Sequence, residues 1–276
     1  MRIAIVTDST SDLPAELTLS YGIQVVPNIL VMDGQEYEDG KEITREAFYD
    51  LLPGMRELPT TATASSGAYG AVYERLFSES SDSILSIHAP STLSGIFNAA
   101  SLAAQPFGER VRVIDSGQVS MGLGFQVLAA AEAVEAGLDA HDVLACLEYV
   151  RKRVRLIAML DTLEYLRRSG RVSWARASLG SLLRIKPFIE VRDGAVRRLG
   201  EVRTRRKGFA RLLERIREGG PYERLAILHT NAGDEARQLL EAASSQFTDT
   251  PFILNVTTVI GTHAGPGALG FAGVPR

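Results

Sequence analysis

Short apolar runs alternate with amphipathic helical patterns through the first half of the 276-residue chain. The runs at 3–6, 83–88 and 111–114 are rich in Ile, Val and Leu, and helical patterns follow the last two at 93–104 and 121–135. Strands that alternate with helices are typical of a mostly parallel sheet covered by helices. This pattern predicts an α/β domain.

Two Asp-Gly pairs, Asp33-Gly34 and Asp193-Gly194, each stand between strand-like runs. Asp-Gly is a typical two-residue hairpin turn, so the second half is expected to include an antiparallel hairpin. Strand-like runs at 224–230 and 252–259 then alternate with helical patterns. We predict two α/β domains, at 1–150 and 151–276, although no linker-like composition marks the boundary.

The composition is that of an ordinary globular protein, with 45% hydrophobic and 23% charged residues. No apolar run approaches membrane-spanning length and no signal-peptide pattern opens the chain. The expected location is the cytoplasm, and any membrane contact would be transient. Cys146, the single cysteine, is expected to be a buried thiol in an apolar stretch.

Charge is distributed unevenly along the chain. Residues 151–217 hold 20 Lys and Arg against 6 Asp and Glu, a balance of +14, which leaves 10 against 27, or −17, elsewhere. A basic segment is compatible with an acidic partner surface, or with arginines that only cover the outside of the fold. No nucleic-acid recognition motif accompanies it, so nucleic acid is not expected as a partner.

Three loops crowded with hydroxyl groups follow strand-like runs, at 7–12 (TDSTSD), 59–66 (PTTATASS) and 88–95 (HAPSTLSG). Ligands of α/β sheets bind beyond the carboxyl ends of the strands, where free backbone N–H groups and hydroxyls can hold an anionic oxygen. Ser and Thr are also the usual helix N-caps, which explains any one of these loops alone. Three such loops facing one crevice favour a ligand site.

A histidine stands in the glycine-rich stretch 261–270 (GTHAGPGALG), which predicts a tight turn. Ser94 and His263 together make a serine-dependent lipid hydrolase or acyltransferase the main alternative to a binding protein. Against it, TLSGI lacks the first glycine of a nucleophile elbow. No GxGxxG follows the first strand and the four histidines lack metal-ligand spacing, so neither a cofactor nor a metal is expected.

Taken together, the motifs resemble those of the DegV family. TDSTSDLP, PTTATAS, STLSGIFNAASLAA, VIDS, LRRSGRV, KPFIEVRDG and GTHAGPGALG occur in the family's order along essentially the whole chain. The resemblance implies a parallel-sheet N-terminal domain, a mixed-sheet C-terminal domain and a long-chain fatty acid between them. It also implies a bacterial, non-catalytic protein of lipid metabolism, which presents the carboxylate to a separate fatty acid kinase for acyl phosphate formation.

The resemblance assigns the fatty acid carboxylate to Thr61, Ser94 and His263. Ala62 and Ile96 replace a serine and a threonine that are usual in the family. Further candidates in the same loops are Thr63, Ser65, Ser91 and Gly95. Candidates for a surface that steers an acidic kinase are Arg203, Arg205, Arg206 and Lys207. Apolar residues that could line a tunnel, each also explained as ordinary core, are Ile29, Phe97, Leu123, Phe125, Leu160, Leu163, Leu166, Leu179, Leu182 and Phe188.

Overall fold

A computed structural model describes residues 2–177 and 185–276 of the chain. The strands are β1 Ile3–Asp8, β2 Gln24–Val26, β3 Ile29–Met32, β4 Gln35–Glu38, β5 Thr60–Ala62, β6 Ser83–His88, β7 Val111–Asp115, β8 Arg155–Met159, β9 Lys186–Arg192, β10 Ala195–Val202, β11 Tyr222–His229, β12 Phe252–Asn255 and β13 Leu269–Pro275. The helices are α1 Ala15–Ser20, α2 Arg45–Leu51, α3 Ser66–Ser78, α4 Ile96–Ala104, α5 Met121–Glu135, α6 Ala140–Arg153, α7 Glu164–Ser169, α8 Ser173–Ala177, α9 Arg205–Gly219, α10 Gly233–Ala242 and α11 Thr258–Ala264.

Two principal sheets confirm the predicted fold class. The first is parallel, in the order β2-β1-β6-β7, and the second is mixed, in the order β10-β9-β8-β13-β11-β12. In the mixed sheet β11 and β12 are parallel, whereas β9 and β10 form the antiparallel hairpin predicted at Asp193-Gly194. The apolar runs are continuous rather than alternating because helices cover both faces of a parallel sheet.

A third, small antiparallel sheet has the order β4-β3-β5. The Asp33-Gly34 turn joins β3 to β4, and β5 adds to the other edge of β3. Local sequence pointed to the hairpin but not to β5, because β5 pairs with a strand almost thirty residues earlier. This pairing places Thr61 opposite Leu30.

Helix α5 lies between the two principal sheets. It is apolar on nearly all sides, and its buried residues share one core with strands of the parallel sheet and of the mixed sheet. A helix that is hydrophobic all round is stable only when surrounded by protein. The two halves are therefore packed together through α5, and residue 150, the predicted domain boundary, lies inside the next helix, α6. Cys146 on α6 is half-buried, not fully buried as expected.

Candidate functional site

A cavity of about 180 Å³ lies between the two halves of the fold. One water molecule needs only about 10–15 Å³ measured in this way, so the cavity is far larger than a packing defect. Residues from β5, the loop before α4, the loop after α7, the β9–β10 hairpin and α11 line it. Both halves of the chain therefore contribute to a single internal space.

Most of the lining is apolar. Ile189, Val191 and Val196 come from the β9–β10 hairpin, and Leu160 and Leu166 come from either side of the start of α7. Of the predicted tunnel residues only these two leucines line the cavity within the described part of the chain. Four of the predicted tunnel residues belong to the hydrophobic core instead. They are fully or almost fully buried: Leu123, Phe125, Leu163 and Phe188. Ile29 and Phe97 do not reach the cavity, and Leu179 and Leu182 lie outside the described residues.

A polar cluster of three residues also lines the cavity. The Thr61 hydroxyl on β5 is 3.1 Å from Nε2 of His263 on α11, although 202 positions separate the two residues. Nη2 of Arg171, just after α7, donates to the Thr61 hydroxyl at 3.4 Å. Arg171 is itself held by the carbonyl oxygens of Leu93 and Ser169, at 3.3 and 3.2 Å. The fold thus brings together three residues that lie far apart along the chain.

His263 lies in the last turn of a short helix, and the tight turn predicted from the glycines follows that helix, with positive φ at Gly265 and Gly267. Two of the glycines also allow close packing. A Cβ at Gly261 would collide with the buried Tyr49 hydroxyl, and one at Gly265 would collide with the Tyr165 ring. Gly265 also has a φ of +75°, which ends the helix after Ala264.

Two buried carboxylates hold the other end of α11. Asp12 Oδ1 accepts from the Thr257 N–H at 2.8 Å, and Asp39 Oδ1 accepts from the N–H and hydroxyl of Thr258 at 3.2 and 2.7 Å. These N–H groups begin the helix and have no partner within it. Asp12, the last residue of the TDSTSD loop, therefore positions the helix that carries His263.

Burial is the main reason that the pKa of His263 is lowered to about 3, with the positive charge of Arg171 as a second cause. The ring is therefore neutral at neutral pH. Its Nδ1 is buried without a hydrogen-bond partner among the described residues. The neutral ring carries one proton and the Thr61 hydroxyl carries another. The hydrogen bond between the two groups uses only one of these protons, so the other can be donated to a ligand in either ring tautomer.

Ser94, Thr63 and Gly95 also line the cavity. Ser94 Oγ accepts from the Ile96 N–H at 3.4 Å, and within the described part of the chain its hydroxyl proton has no acceptor. A Cβ at Gly95 would lie 3.6 Å from the Thr63 methyl group, so the two predicted hydroxyl loops are in close proximity. The site thus combines hydroxyls from two loops with the Arg171 cation and the neutral His263 ring.

Ser65 and Ser91, the other two loop candidates, do not line the cavity. Ser65 is the N-cap of α3 and accepts from the Ala68 N–H at 3.2 Å. Ser91 donates both its N–H and its hydroxyl to Asp115 Oδ2, at 2.9 and 2.8 Å. For these two serines helix capping and loop formation account for the hydroxyls.

Ser94 and His263 do not form a serine-nucleophile arrangement. The hydrogen-bonded chain Ser86–His88–Asp8 is fully buried and does not line the cavity. Activation of a serine needs a hydrogen bond to a histidine, which in turn is oriented by a third group. Within 2–177 and 185–276, His263 Nε2 bonds to Thr61 and no hydrogen bond joins it to Ser94. A neutral ring with a pKa of about 3 is also a weak general base.

The four basic candidates near the start of α9 divide into two kinds. Arg203, Arg206 and Lys207 are exposed. Arg205 is partly buried, and its Nε donates to both carboxylate oxygens of Glu235, at 3.0 and 2.8 Å, while Nη1 donates to the Gly267 carbonyl at 2.5 Å. Because its guanidinium group bonds to these partners within the protein, Arg205 stabilises the fold and does not contribute to an exposed basic surface.

Arg171 is the residue of this site that reasoning from residue types missed. Hydroxyl groups and the His263 ring were expected at the head group, yet a guanidinium group also lies within reach of Thr61. The signal was present in the LRRSGRV stretch, where Arg171 follows a helix-ending glycine. Thr10 and Asn28 also line the cavity, Thr10 from the TDSTSD loop.

Fold and site together define an α/β protein with two principal sheets, a mainly apolar cavity between its halves and a polar cluster that is compatible with an anion. The chain belongs to the DegV family: the family described as "Uncharacterised protein, DegV family" matches residues 2–276. A DegV domain-containing protein of Deinococcus radiodurans is 40% identical over 99% of this chain and 98% of its own length. Protein DegV of Bacillus subtilis is 35% identical over 98% of each chain.

Solved structures agree with this membership. A DegV family protein from Thermus thermophilus, described by its fatty acid binding, has a TM-score of 0.93 and 35% identity over the whole of both chains. DegV of Bacillus subtilis, described as a fatty acid binding protein, has a TM-score of 0.88 and 33% identity, also over both whole chains. No described helix of the present protein is both long and apolar enough to cross a membrane.

Proposed function

We propose that this protein binds a long-chain fatty acid in the cavity, with the carboxylate at Thr61, Ser94, His263 and Arg171. The observation that carries the proposal is the joining of a mainly apolar internal cavity to a polar cluster with free donors. A fatty acid has the same two parts. The description of the Thermus and Bacillus relatives as fatty-acid-binding proteins supports the same ligand class.

The apolar tail supplies most of the binding free energy. Each buried methylene contributes about 0.8 kcal/mol, from which the cost of ordering the ligand is subtracted. The hydroxyls and the free donor of the Thr61–His263 pair each add a hydrogen bond to the carboxylate, and Arg171 adds an opposite charge. Arg171 therefore favours the ionised acid over a neutral lipid.

Mass spectrometry of lipid extracted from the purified protein tests the ligand class. We expect a long-chain fatty acid at close to one molecule per chain. Ser94→Ala should retain less of it, whereas Ser91→Ala, three positions earlier and outside the cavity, should match the unsubstituted protein. Protein that carries no fatty acid and takes up none on incubation would contradict the proposal.

We further propose that the protein is a non-catalytic carrier that presents the carboxylate to a separate fatty acid kinase. The kinase would transfer the γ-phosphoryl group of ATP to a carboxylate oxygen, giving an acyl phosphate and ADP. Family resemblance supplies this partner. Arg203, Arg206 and Lys207, which are exposed on the basic segment, are the proposed docking residues.

Reconstitution with a bacterial fatty acid kinase tests the carrier role. Acyl phosphate, trapped with hydroxylamine, should form only when kinase, ATP and loaded protein are all present. Reversing the charges of Arg203, Arg206 and Lys207 should raise the protein concentration needed for half-maximal turnover while the bound fatty acid remains. Hydrolysis of p-nitrophenyl esters that depends on Ser94 would instead favour the hydrolase alternative.

A further inference from the structure

A second polar group in the cavity consists of Thr10 and Asn28, which the head-group cluster does not use. Thr10 is 4% exposed and Asn28 is fully buried, so neither side chain is solvated from outside. The Asn28 side-chain oxygen, Oδ1, has no hydrogen-bond partner among the described residues. A buried acceptor without a hydrogen-bond partner costs folding free energy. It therefore matters whether this atom is the amide oxygen or the amide nitrogen.

Neighbouring groups fix the orientation of the Asn28 amide. Its Nδ2 donates to Asp8 Oδ1 and to Ser9 Oγ, both at 3.2 Å. Asp8 is in turn held by His88 Nδ1 at 2.9 Å, in a fully buried pair. Turning the amide over would place Oδ1 against the Asp8 carboxylate, where no hydrogen atom lies between the two oxygens. Oδ1 therefore remains the unpartnered atom.

Thr10 also offers an acceptor. Its hydroxyl lies 2.5 Å from Asp8 Oδ1, and the carboxylate can only accept, so the Thr10 proton points to Asp8. No donor to the Thr10 hydroxyl oxygen is present among the described residues. Thr10 and Asn28 thus form a pair of acceptors, the opposite of the donors that a carboxylate needs.

The pairing of β3 with β5 puts this acceptor pair close to the head-group loops. Thr61 pairs with Leu30 and Ala62 with Ile29, so Asn28 is next in register and follows the strand towards Thr63. Asn28 therefore lines the same cavity as Thr61 and Thr63, next to the strand that carries Thr61.

We propose that Thr10 and Asn28 form a subsite for a hydroxyl group on C2 or C3 of the acyl chain. This inference rests on the proposed function and narrows its substrate class to include hydroxy fatty acids. The hydroxyl donates to Asn28 Oδ1 or to the Thr10 oxygen, and the chain then continues along the apolar lining. A plain fatty acid leaves these acceptors to a water molecule.

Competition binding of hexadecanoate against its 2-hydroxy and 3-hydroxy analogues tests the subsite. The unsubstituted protein should bind one of the hydroxy acids roughly fivefold more tightly than hexadecanoate, the effect of one net hydrogen bond. Asn28→Leu should reduce this ratio to about one, and Thr10→Val should reduce it in part. Asn98→Leu, the same type of change at an exposed position on α4, should leave the ratio intact.

The ratio of affinities, rather than either affinity, is the measured quantity, so a general weakening of a variant does not change the conclusion. Equal binding of all three acids to the unsubstituted protein would overturn the subsite, because water would then satisfy Asn28 as well as a ligand does. A preference that survives both Asn28→Leu and Thr10→Val would also overturn it. Failure of hexadecanoate and both analogues to bind would instead refute the proposed function.

Discussion

Acid should destabilise the protein through His263, and the substitution His263→Gln should isolate this effect. Burial and the nearby Arg171 charge lower the pKa of His263 to about 3 in the folded chain. In the unfolded chain the ordinary value is about 6.5. Gln has no titrating group and can still bond Thr61, so the variant keeps the contact and removes the proton.

Proton linkage determines how His263 changes the free energy of unfolding with pH. The folded pKa is depressed, so the unfolded chain takes up the proton first. The free energy of unfolding is not reduced by His263 above about pH 6.5, and it decreases as the pH falls from there towards 3. The full difference corresponds to about 5 kcal/mol, of which about 2 kcal/mol should already be lost at pH 5.

Asp12 acts in the opposite direction over the same range. Burial raises its pKa to about 6, from 3.8. Its raised pKa favours the protonated folded form, so its contribution is present at low pH and is lost as pH rises through 6. Acidification from pH 7 to 5 should therefore gain roughly 1 kcal/mol from Asp12, which partly masks the His263 loss in the unsubstituted protein. Comparison of two proteins that both retain Asp12 removes this contribution.

Urea unfolding at pH 8 and pH 5 provides the measurement. The free energy of unfolding of the unsubstituted protein should fall by about 2 kcal/mol more than that of His263→Gln between these two values. Excess hexadecanoate should reduce the difference, because a bound anion raises the pKa of the ring. Equal losses of unfolding free energy in the two ligand-free proteins would refute the conclusion that His263 is buried and neutral.

Substitutions at three further positions test separate parts of the site. Thr61→Val should weaken hexadecanoate binding roughly tenfold or more in a displacement assay, because a hydrogen bond to a charged group is lost, and an unchanged affinity would remove Thr61 from the head group. Val196→Trp should fill the cavity and reduce the extracted fatty acid, unless the ligand lies elsewhere. Asp39→Ala should lower the free energy of unfolding by about 1–3 kcal/mol, because Thr258 loses the acceptor of its N–H and hydroxyl. Asp39→Asn should lower it less, since the amide oxygen is still an acceptor. Equal losses in the two variants would argue against this cap.

Much of the fold could be predicted from the order of residues. The apolar runs of β1, β6 and β7, the helices between them and the two Asp-Gly turns are local features, set by neighbours within a few positions. Strand β5 was missed because its three residues have no local periodicity and become a strand only by pairing with β3. The tight turn expected of GTHAGPGALG forms only after His263, because the first part of the stretch is a helix whose Gly261 packs closely against Tyr49.

The sequence by itself determined the family, the fold class and the residue types available to a carboxylate site. Only the tertiary structure decided which of them share one cavity: Thr61 and Ser94 line it, whereas Ser65 and Ser91 are engaged in caps and loops. It also added Arg171 and the acceptor pair of Thr10 and Asn28. The physical reason is distance along the chain. A hydroxyl has the same local signature whether it caps a helix or faces a ligand, and the packing of both sheets around α5 determines which of the two it does.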